Sequence, residues 1–512
     1  MPIKLLEDSR LKLDDLFIFE MANNHQGDVN HGLRIIREVA QVSKSSGIRA
    51  GIKLQFRQLD TFVHPDFRED ESNKHIKRFL STRLTEAEFE ILVKEIKNQG
   101  LLAICTPFDE PSVDLIVKMG FDILKIGSCS AKDWPLLEKA TSAGLPMIVS
   151  TGGLSEADVG NLVSFLDHRY AHYALMHCVA IYPTPMDKLQ LDNIERMKSR
   201  YPHIPIGFST HEEPENMTAI QVAYAKGARL FERHVGIKTE KISLNSYSST
   251  PEQIVKWIQS YKEASAACGT GSVREIEDRE REDLLTLQRG VFAKRDIQAG
   301  EVLKDEDVFF AFPIQQGQLP SGRWKSGIKA LENIPQNKAI PDKFRDSSSS
   351  EKEIVYQAIH EIKAMLNEAR VAVGMEFEME LSHHYGLSRF REVGTTIIEC
   401  INREYCKKIL VQLPGQQHPY HHHIRKEETF QVLAGELWIE LEGRRRLLMP
   451  GDILLVQRGV KHRFWSETGA VIEEVSSTHY NNDSVYEDPK IANLSREMRK
   501  TRLVNWGRHH FA

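Results

Sequence analysis

Short apolar runs rich in β-branched residues recur eight times between residues 16 and 235. They are Leu16–Ala22, Ala50–Phe56, Leu101–Phe108, Ile123–Ser128, Pro146–Thr151, Tyr173–Val179, Ile204–His211 and Arg229–Val235. Amphipathic stretches with helical spacing separate these runs, and most of them end in a glycine suited to a left-handed helix cap. Because runs that are apolar throughout indicate strands buried on both faces, the pattern predicts an α/β fold, a (β/α)8 barrel rather than an open sheet.

The pattern changes after the barrel. A helical stretch, Pro251–Gly269, precedes a small β-rich segment from Gly290 to about Ala330, and the serine run Ser347–Ser350 indicates a linker. A helix over Glu351–Ala369 then leads into short strands and tight turns between Lys407 and about Ser477. We therefore predict three domains: a barrel over 1–285, a small β-rich domain over 286–345, and an all-β domain with a helical lead-in over 346–512.

Composition narrows the class of protein. The 512 residues include 67 Lys and Arg against 72 Asp and Glu, a net charge of −5, which excludes a strongly basic nucleic-acid binder and an acidic disordered tail. No apolar stretch approaches the roughly 20 residues that span a bilayer, and the first residues lack a signal-type apolar core. The six cysteines form no CxxC pair. We expect a cytoplasmic protein with reduced thiols that binds neither nucleic acid nor membrane.

Unusual polar residues fall at the carboxyl ends of the eight runs, where the loops of such barrels build active sites. They are Glu20, Asn23, Asn24, His25, Lys53, Gln55, Thr106, Lys125, Ser128, Ser150, Thr151, His177, Ser209, His211, Glu232 and His234. Any one of them could simply bond loop backbone, but the whole ring favours a site. Because Lys53 and Lys125 with several hydroxyls can hold a phosphate and a carboxylate, we expect a small anionic substrate.

His211 and His234 end the seventh and eighth runs. Neighbouring strands lie about 4.8 Å apart, so both imidazoles can reach one divalent ion at about 2.1 Å. Glu20, on the first run, adjoins the eighth once the barrel closes. Two histidines, a carboxylate and water leave open coordination positions, which suits polarising a carbonyl. The alternative is a pair of satisfied core histidines.

The strand-end motifs resemble those of the sialic acid (N-acetylneuraminate) synthase family. The matching segments, in order, are FEMANNHQGD (Phe19–Asp28), GIKLQF (Gly51–Phe56), CTPFD (Cys105–Asp109), LKIGS (Leu124–Ser128), IVSTGG (Ile148–Gly153), MHCVAIYPTP (Met176–Pro185), IGFSTHE (Ile206–Glu212) and ERHVG (Glu232–Gly236). The segment Gln288–Gln318 is similar to the small antifreeze-like (SAF) domain that follows the barrel in that family.

The resemblance implies that phosphoenolpyruvate condenses with the open-chain aldehyde of an N-acyl hexosamine, releasing phosphate and giving a nonulosonic acid, in a homodimer. It implies a divalent ion, Mn²⁺ or Mg²⁺, on His211 and His234, and sugar contact by Tyr182. Glu20 and Gln55 would position water or the reacting carbons. The residues implied to hold phosphoenolpyruvate are Lys53, Thr106, Lys125, Ser128, Ser150 and Ser209.

Four positions depart from the family pattern on the side that holds the sugar. Ser130 and Ala180 replace polar or acidic residues, the sugar-binding acid is replaced near Asn245, and Phe312 stands where a partner-reaching arginine is usual. We therefore expect an acceptor other than N-acetylmannosamine, or a sugar contact supplied by another part of the chain.

A second constellation matches the two cupin motifs, Gly415-x5-His421-x-His423-x4-Glu428-x6-Gly435 and Gly451-x7-Gly459-x2-His462, with Gln457 where proline is usual. Histidines two apart on a strand point to the same side, and Glu428 and His462 from neighbouring strands can complete a three-His, one-Glu site for Mn²⁺, Zn²⁺ or Fe²⁺. The alternative is an exposed polar loop.

The amino-acid sequence around this motif resembles that of the D-lyxose isomerase type of cupin, which implies ketose–aldose isomerisation with a glutamate as base. Glu440, Glu473 and Glu474 are all candidates for that base. The domain either isomerises or epimerises the sugar used or made by the barrel, or only binds it. Two alternatives remain for the whole chain: condensation with a different aldose to another 3-deoxy-ulosonic acid, and a sugar-binding protein without catalysis.

Overall fold

A computed structural model describes residues 11–68, 72–270, 274–343, 351–374, 377–495, 497–504 and 506. The chain divides into two compact units, Met1–Glu275 and Ile276–Ala512. The predicted linker Ser347–Ser350 lies outside the described residues. The finer division into three domains stays a prediction. Among the described residues, no helix is long and apolar enough to cross a membrane.

The first unit is a closed barrel of eight parallel strands, which confirms the predicted fold class. Its strands are β1 (Leu16–Glu20), β2 (Ala50–Phe56), β3 (Leu102–Pro107), β4 (Ile123–Ile126), β5 (Met147–Ser150), β6 (Tyr173–Cys178), β7 (Ile206–Thr210) and β8 (Leu230–His234). Each lies within one predicted run. The barrel closes where β8 pairs with β1, in a register that sets Glu20 beside His234.

Helices surround the barrel and bury their apolar faces against it. They are α1 (Val29–Ser46), α4 (Glu86–Asn98), α5 (Glu110–Met119), α6 (Trp134–Ser142), α7 (Glu156–His168), α8 (Asp192–Arg200), α9 (Thr218–Ala225) and α10 (Pro251–Cys268). Two short helices that the apolar pattern does not predict, α2 (Leu59–Phe62) and α3 (Lys74–Ser81), lie in the connection between β2 and α4.

Inward-facing positions of the strands change character along the barrel axis. At the amino ends they are apolar, as at Leu16, Ile104 and Leu230, and these side chains form a separate buried cluster inside the barrel. Because side chains alternate along a strand, the next inward positions carry the polar residues, such as Glu20 after Ile18 and Glu232 after Leu230. The apolar layer therefore lies beneath the polar layer.

The second unit begins with α11 (Asp278–Thr286) and the two-stranded sheet of β9 (Gly290–Ala293) and β10 (Val308–Ala311). After helix α12 (Glu351–Glu368) come two antiparallel sheets, in the strand orders β18-β15-β20-β13-β12-β11-β22 and β17-β16-β19-β14-β21. These strands are β11 (Glu378–Ser382), β12 (Thr395–Asn402), β13 (Tyr405–Gln412), β14 (Gln417–His423), β15 (Glu428–Gly435), β16 (Leu437–Leu441), β17 (Arg444–Leu448), β18 (Ile453–Val456), β19 (His462–Trp465), β20 (Ala470–Ser477), β21 (Ser484–Tyr486) and β22 (Lys500–Val504), with a short helix α13 (Pro489–Ala492) before β22. The predicted all-β domain is confirmed.

Candidate active site and candidate metal centre

A cavity of about 720 Å³ opens at the carboxyl ends of the barrel strands. It is lined by every barrel residue to which the sequence analysis assigns a role: Glu20, Lys53, Gln55, Thr106, Lys125, Ser128, Ser150, Tyr182, Ser209, His211 and His234. Of the other polar strand-end residues, Asn23 and Glu232 also line it, whereas Asn24, His25, Thr151 and His177 do not. The structure therefore brings these side chains to one place, as expected for strand-end residues of a closed barrel.

Two buried lysines and two buried glutamates form the floor of this cavity. Lys53 Nζ contacts the carboxylate of Glu20 and lies 3.0 Å from Glu232 Oε1. Lys125 Nζ lies 3.3 Å from Glu232 Oε2 and donates to Ser150 Oγ at 2.6 Å. The charges of the two lysines are thus matched by two carboxylates inside the barrel.

Glu232 is a strand-end residue of the cavity to which the sequence analysis assigned no role. It accepts a hydrogen bond from Ser209 Oγ at 2.8 Å and contacts both lysines. Burial alone would raise the pKa of Glu232, but Lys125 and Lys53 hold it below its usual range. Burial raises the pKa of Glu20 against the opposing effect of Lys53. The signal available in the sequence was spacing, because Glu232 stands two before His234 and so faces the same way.

Hydroxyl groups cover the neighbouring wall. Ser128 Oγ accepts from the Gly152 backbone N–H at 3.0 Å and lies 3.1 Å from Cys178 Sγ. Thr106 Oγ1 is buried and has no hydrogen-bond partner among the described residues. Since buried hydroxyls normally find a partner, the free Thr106 hydroxyl is available to a ligand in the cavity.

His211 and His234 face each other with ring centroids 5.5 Å apart. His211 Nδ1 lies 3.2 Å from the Val179 carbonyl oxygen, so donation there leaves Nε2 as the ring's lone-pair nitrogen. Burial lowers the pKa of each imidazole to about 3, with the neighbouring His234 adding to the effect at His211 and Lys53 at His234. Two neutral imidazoles at this separation fit a divalent ion.

Both carboxylate oxygens of Glu20 are engaged, Oε2 by Lys53 and Oε1 as acceptor of the Ala22 backbone N–H at 2.7 Å. In the described part of the chain, the barrel brings no third His, Cys, Asp or Glu donor close enough to these two rings to form a cluster. An ion at this position would therefore have two protein ligands and several positions for substrate or water.

Aromatic residues line the outer side of the imidazole pair. Tyr182, half-exposed, lies 4.4 Å from the His211 ring, and Tyr247 lies 5.0 Å from the His234 ring. Asn245 accepts from the Tyr247 backbone N–H at 3.1 Å, and Ala180 lines the cavity directly. Tyr247 is a lining residue that sequence reasoning missed. Phe312 lies in the second unit and is 62 % exposed.

The second unit holds a compact cluster of four buried potential metal ligands. His421 and His423 on β14, Glu428 on β15 and His462 on β19 offer donor atoms that all lie within 4.8 Å of one another. His462 Nε2 lies 2.8 Å from Glu428 Oε1, and His423 Nε2 lies 3.4 Å from Glu428 Oε2. Three imidazoles and one carboxylate fit Mn²⁺, Zn²⁺ or Fe²⁺.

A buried lysine links this cluster to a second carboxylate. Lys426 Nζ lies 2.5 Å from Glu428 and 2.8 Å from Glu474, and Lys408 approaches Glu474 at 3.5 Å. Burial alone would raise the pKa of Glu428, but Lys426 and the neighbouring His423 hold it well below its usual range. Glu474 is therefore fixed beside the ligand cluster without belonging to it.

The strand registers distinguish the three carboxylates that the sequence left open. Glu474 lines the cavity above the ligand cluster. Glu473 points to the opposite face of β20 and pairs with Lys407 at 2.5 Å. Glu440 lies on the outer face of β16, where Arg463 and Arg445 contact it at 2.9 and 3.0 Å. Of the three, only Glu474 lies where it could act on a ligand of the cluster.

The cavity at this cluster measures about 50 Å³. A larger cavity of about 560 Å³ lies beside it, and His418 lines both.

Comparisons with known proteins cover all three regions of the chain. The NeuB family model matches residues 40–273, the SAF domain model residues 288–333 and the cupin domain model residues 409–473. A crystal structure of a protein assigned as spore coat polysaccharide biosynthesis protein E from Chromobacterium violaceum is 43 % identical, with a TM-score of 0.62. The match covers 65 % of this chain and 100 % of that one.

Three curated relatives show the spread of the similarity. An uncharacterized protein of Methanocaldococcus jannaschii is 30 % identical over 58 % of this chain and 84 % of its own length. The N,N'-diacetyllegionaminic acid synthase of Legionella pneumophila is 26 % identical over 58 % of this chain and 85 % of that protein. The human N-acetylneuraminate-9-phosphate synthase is 25 % identical over 64 % of this chain and 92 % of that protein.

Proposed function

The chain belongs to the NeuB family, a family of phosphoenolpyruvate-dependent condensing transferases, and we propose that its barrel joins phosphoenolpyruvate to an open-chain aldose. The product is a nonulosonic, sialic-acid-like 3-deoxy-2-keto acid, and phosphate is released. The observation that carries this proposal is the meeting of Lys53, Lys125 and their hydroxyl neighbours with two facing imidazoles in one cavity. A homodimer and the three predicted domains are part of the same proposal.

In this proposal the lysines hold phosphoenolpyruvate. Lys53 and Lys125 contact Glu232 in the structure, and an incoming phosphate or carboxylate would take over part of those contacts. The unpartnered Thr106 hydroxyl and the wall formed by Ser128, Ser150 and Ser209 supply further hydrogen bonds. Thr106, Ser150 and Ser209 lie on strand ends and Ser128 directly follows β4, so these groups are positioned before the substrate arrives.

Glu20 lies on β1 between Lys53 on β2 and His234 on β8, and Gln55 lies two residues after Lys53 on β2. Because burial raises the pKa of Glu20, its carboxylate is suited to accept a proton from the water that adds to C2 of phosphoenolpyruvate. Glu232 keeps its charge and balances the lysines. His211 and His234 would hold Mn²⁺ or Mg²⁺, which when bound polarises the acceptor's aldehyde group.

The direct test is release of phosphate from phosphoenolpyruvate in the presence of Mn²⁺ and a panel of aldoses, with detection of the 3-deoxy-2-keto acid. We expect phosphate release that depends on one class of aldose and a product of matching mass. Release without any aldose, or none with any hexosamine, hexose or pentose, would contradict condensation and leave the sugar-binding alternative.

For the all-β domain, we propose a metal-bound cupin that acts on the sugar used or made by the barrel. The location of Glu474 favours isomerisation over mere binding, because a carboxylate beside the ligand cluster but outside it can move a proton between adjacent sugar carbons. The domain would use Mn²⁺, Zn²⁺ or Fe²⁺ held by His421, His423, Glu428 and His462.

Exchange of sugar C–H for C–D in D₂O, followed by NMR with a panel of ketoses and aldoses, tests this second proposal. Glu474→Gln should abolish exchange, whereas Glu440→Gln, which alters a carboxylate on the outer face of the sheet, should leave it unchanged. Exchange lost equally in both variants would contradict the role of Glu474 as the base, and exchange absent from the wild-type protein would leave only sugar binding.

A further inference from the structure

Three cations line the outer part of the barrel cavity in addition to the two lysines of its floor. Arg57 follows β2, and Lys74 and Arg78 lie on α3, in the same connection between β2 and α4. None of the three belongs to the residues assigned to phosphoenolpyruvate. They form what we call the outer cation cluster, defined as Arg57, Lys74 and Arg78.

Arg57 is held in a fixed orientation. Its guanidinium lies between two aromatic rings, 3.6 Å from the centroid of Phe108 and 4.1 Å from that of Phe79. Nη2 donates to Gln55 Oε1 at 2.9 Å, and the buried Nε has no hydrogen-bond partner among the described residues. Stacking of this kind fixes the plane of a guanidinium and leaves its edge available for a planar anion.

Among the described residues, the charges of the cavity are matched on its floor and unmatched at its outer part. Lys53 and Lys125 face Glu20 and Glu232. Within the described residues, Glu20 and Glu232 are also the sole carboxylates that line the cavity, and Lys74 and Arg78 form no ion pair there. The lining that the structure describes therefore carries five lysine and arginine side chains against two carboxylates, with the unmatched cations at the side away from the floor.

We propose that the outer cation cluster binds an anionic group of the acceptor sugar, a phosphate or a carboxylate, at the end remote from the aldehyde. This inference rests on the proposed condensation, since it assigns phosphoenolpyruvate to the floor and the aldehyde to the imidazole pair. The acceptor must then extend from His211 and His234 along the same cavity, whose outer lining carries Arg78 and Lys74. Arginine and lysine donors in such a cavity favour phosphates and carboxylates over hydroxyl groups.

Matched acceptors provide the test. Each aldose of the panel is supplied as the neutral sugar, as its terminal phosphate and as its terminal carboxylic acid, with inorganic phosphate as a competing anion. We expect one anionic form to exceed its neutral counterpart by at least about tenfold in kcat/KM, and the better of the two forms identifies the group. Equal or better turnover of the neutral sugar would overturn this inference and leave the condensation intact. No turnover of any form would overturn both.

Charge-removing variants locate the contact. Arg78→Gln and Lys74→Gln should each raise the KM for the anionic acceptor by about 10- to 100-fold without changing the KM for phosphoenolpyruvate. Lys77→Gln, on the same helix but outside the cavity lining, is the matched control and should leave both values unchanged. A raised KM for phosphoenolpyruvate in Arg78→Gln would assign the cluster to phosphoenolpyruvate instead of the acceptor and would overturn this inference. Equal behaviour of Arg78→Gln and Lys77→Gln would show that the cluster binds nothing.

Discussion

The two candidate metal sites of this chain differ in almost every physical property. The barrel site has two imidazoles at the wall of a cavity of about 720 Å³, whose floor holds paired lysines and glutamates. The site in the all-β domain has four potential ligands within 4.8 Å of one another and a cavity of about 50 Å³. One offers few ligands and much room, and the other offers a full ligand set and little room.

The difference indicates a division of tasks. An ion with two protein ligands has positions left for two substrates, which suits a reaction that joins them. Four protein ligands fix an ion firmly and leave a six-coordinate ion two positions for a sugar or water. The carboxylates at the two sites also have different partners, because Glu20 contacts Lys53 and the Ala22 backbone N–H, whereas Glu428 contacts two imidazoles and Lys426 together.

Removing one imidazole of the barrel pair should have the largest effect. His234→Ala should reduce phosphate release by about 1,000-fold or more, since several kcal/mol of charge stabilisation depend on the ion. The fold should persist, because a strand-end side chain is removed without opening the core. His172→Ala, whose imidazole donates to the Leu11 carbonyl at the opposite end of the barrel, is the control and should retain activity. An unfolded His234→Ala protein would support the core-histidine alternative.

Removing a ligand of the second site should separate the two centres. His421→Ala should lower bound metal from about two equivalents per chain to about one, measured by elemental analysis after dialysis, because the remaining ligands bind too weakly. Release of phosphate from phosphoenolpyruvate should continue at the wild-type rate. Loss of condensation together with the metal would show that the sites depend on each other.

A third prediction concerns the buried lysine of the second site. Lys426→Met leaves Glu428 and Glu474 without their shared cation, so the metal-free protein should lose about 3–5 kcal/mol in its free energy of unfolding. Saturating Mn²⁺ should restore part of that loss, since an ion at the cluster also neutralises Glu428. Denaturant titration with and without metal measures both. An equal loss of unfolding free energy with and without Mn²⁺ would show that the bound metal does not replace the charge of Lys426.

The smallest effect is a pH dependence in the metal-free barrel. The folded-state pKa of His211 is lowered from 6.5 to about 3, so the unfolded chain binds this proton first as pH falls. His211 therefore has no effect on the pH dependence of the free energy of unfolding above pH 6.5. Below pH 6.5 it makes that free energy fall as the pH decreases toward 3. His211→Gln should flatten the slope of unfolding free energy between pH 6 and 4 by about 1 kcal/mol per pH unit. His203→Gln, at an exposed position, should leave the slope unchanged.

The barrel and its strand-end residues could be predicted from the sequence because the recurring apolar runs and the alternation of inward-facing polar residues coincide there. Each apolar run is long enough to fix a strand. The inward polar residues follow the buried apolar layer at spacings of two, as with Glu232 and His234. The contact of Glu232 with both lysines could not be read in the same way. It depends on which strands meet when the barrel closes, and that is a property of the whole sheet.

The outer cation cluster escaped sequence reasoning for a different reason. The connection between β2 and α4 has no apolar periodicity, and α3 has no buried residue. Its start is fixed locally, by the Asn73 side chain accepting from the backbone N–H groups of His75 and Ile76, a cap that the sequence does contain. Glu473 and Glu474 were likewise equivalent in the sequence, because only pairing with the neighbouring strands decides which of two adjacent residues faces inward.

The position of the outer cation cluster gives the enzyme two independent regions for change. The proposed phosphoenolpyruvate contacts lie almost entirely at strand ends above the buried apolar layer, so altering them can also destabilise the barrel. Lys74 and Arg78 stand on a short helix that buries none of its residues. New acceptor preferences could therefore arise, or be engineered, by exchanging one surface segment while the donor half of the reaction stays untouched.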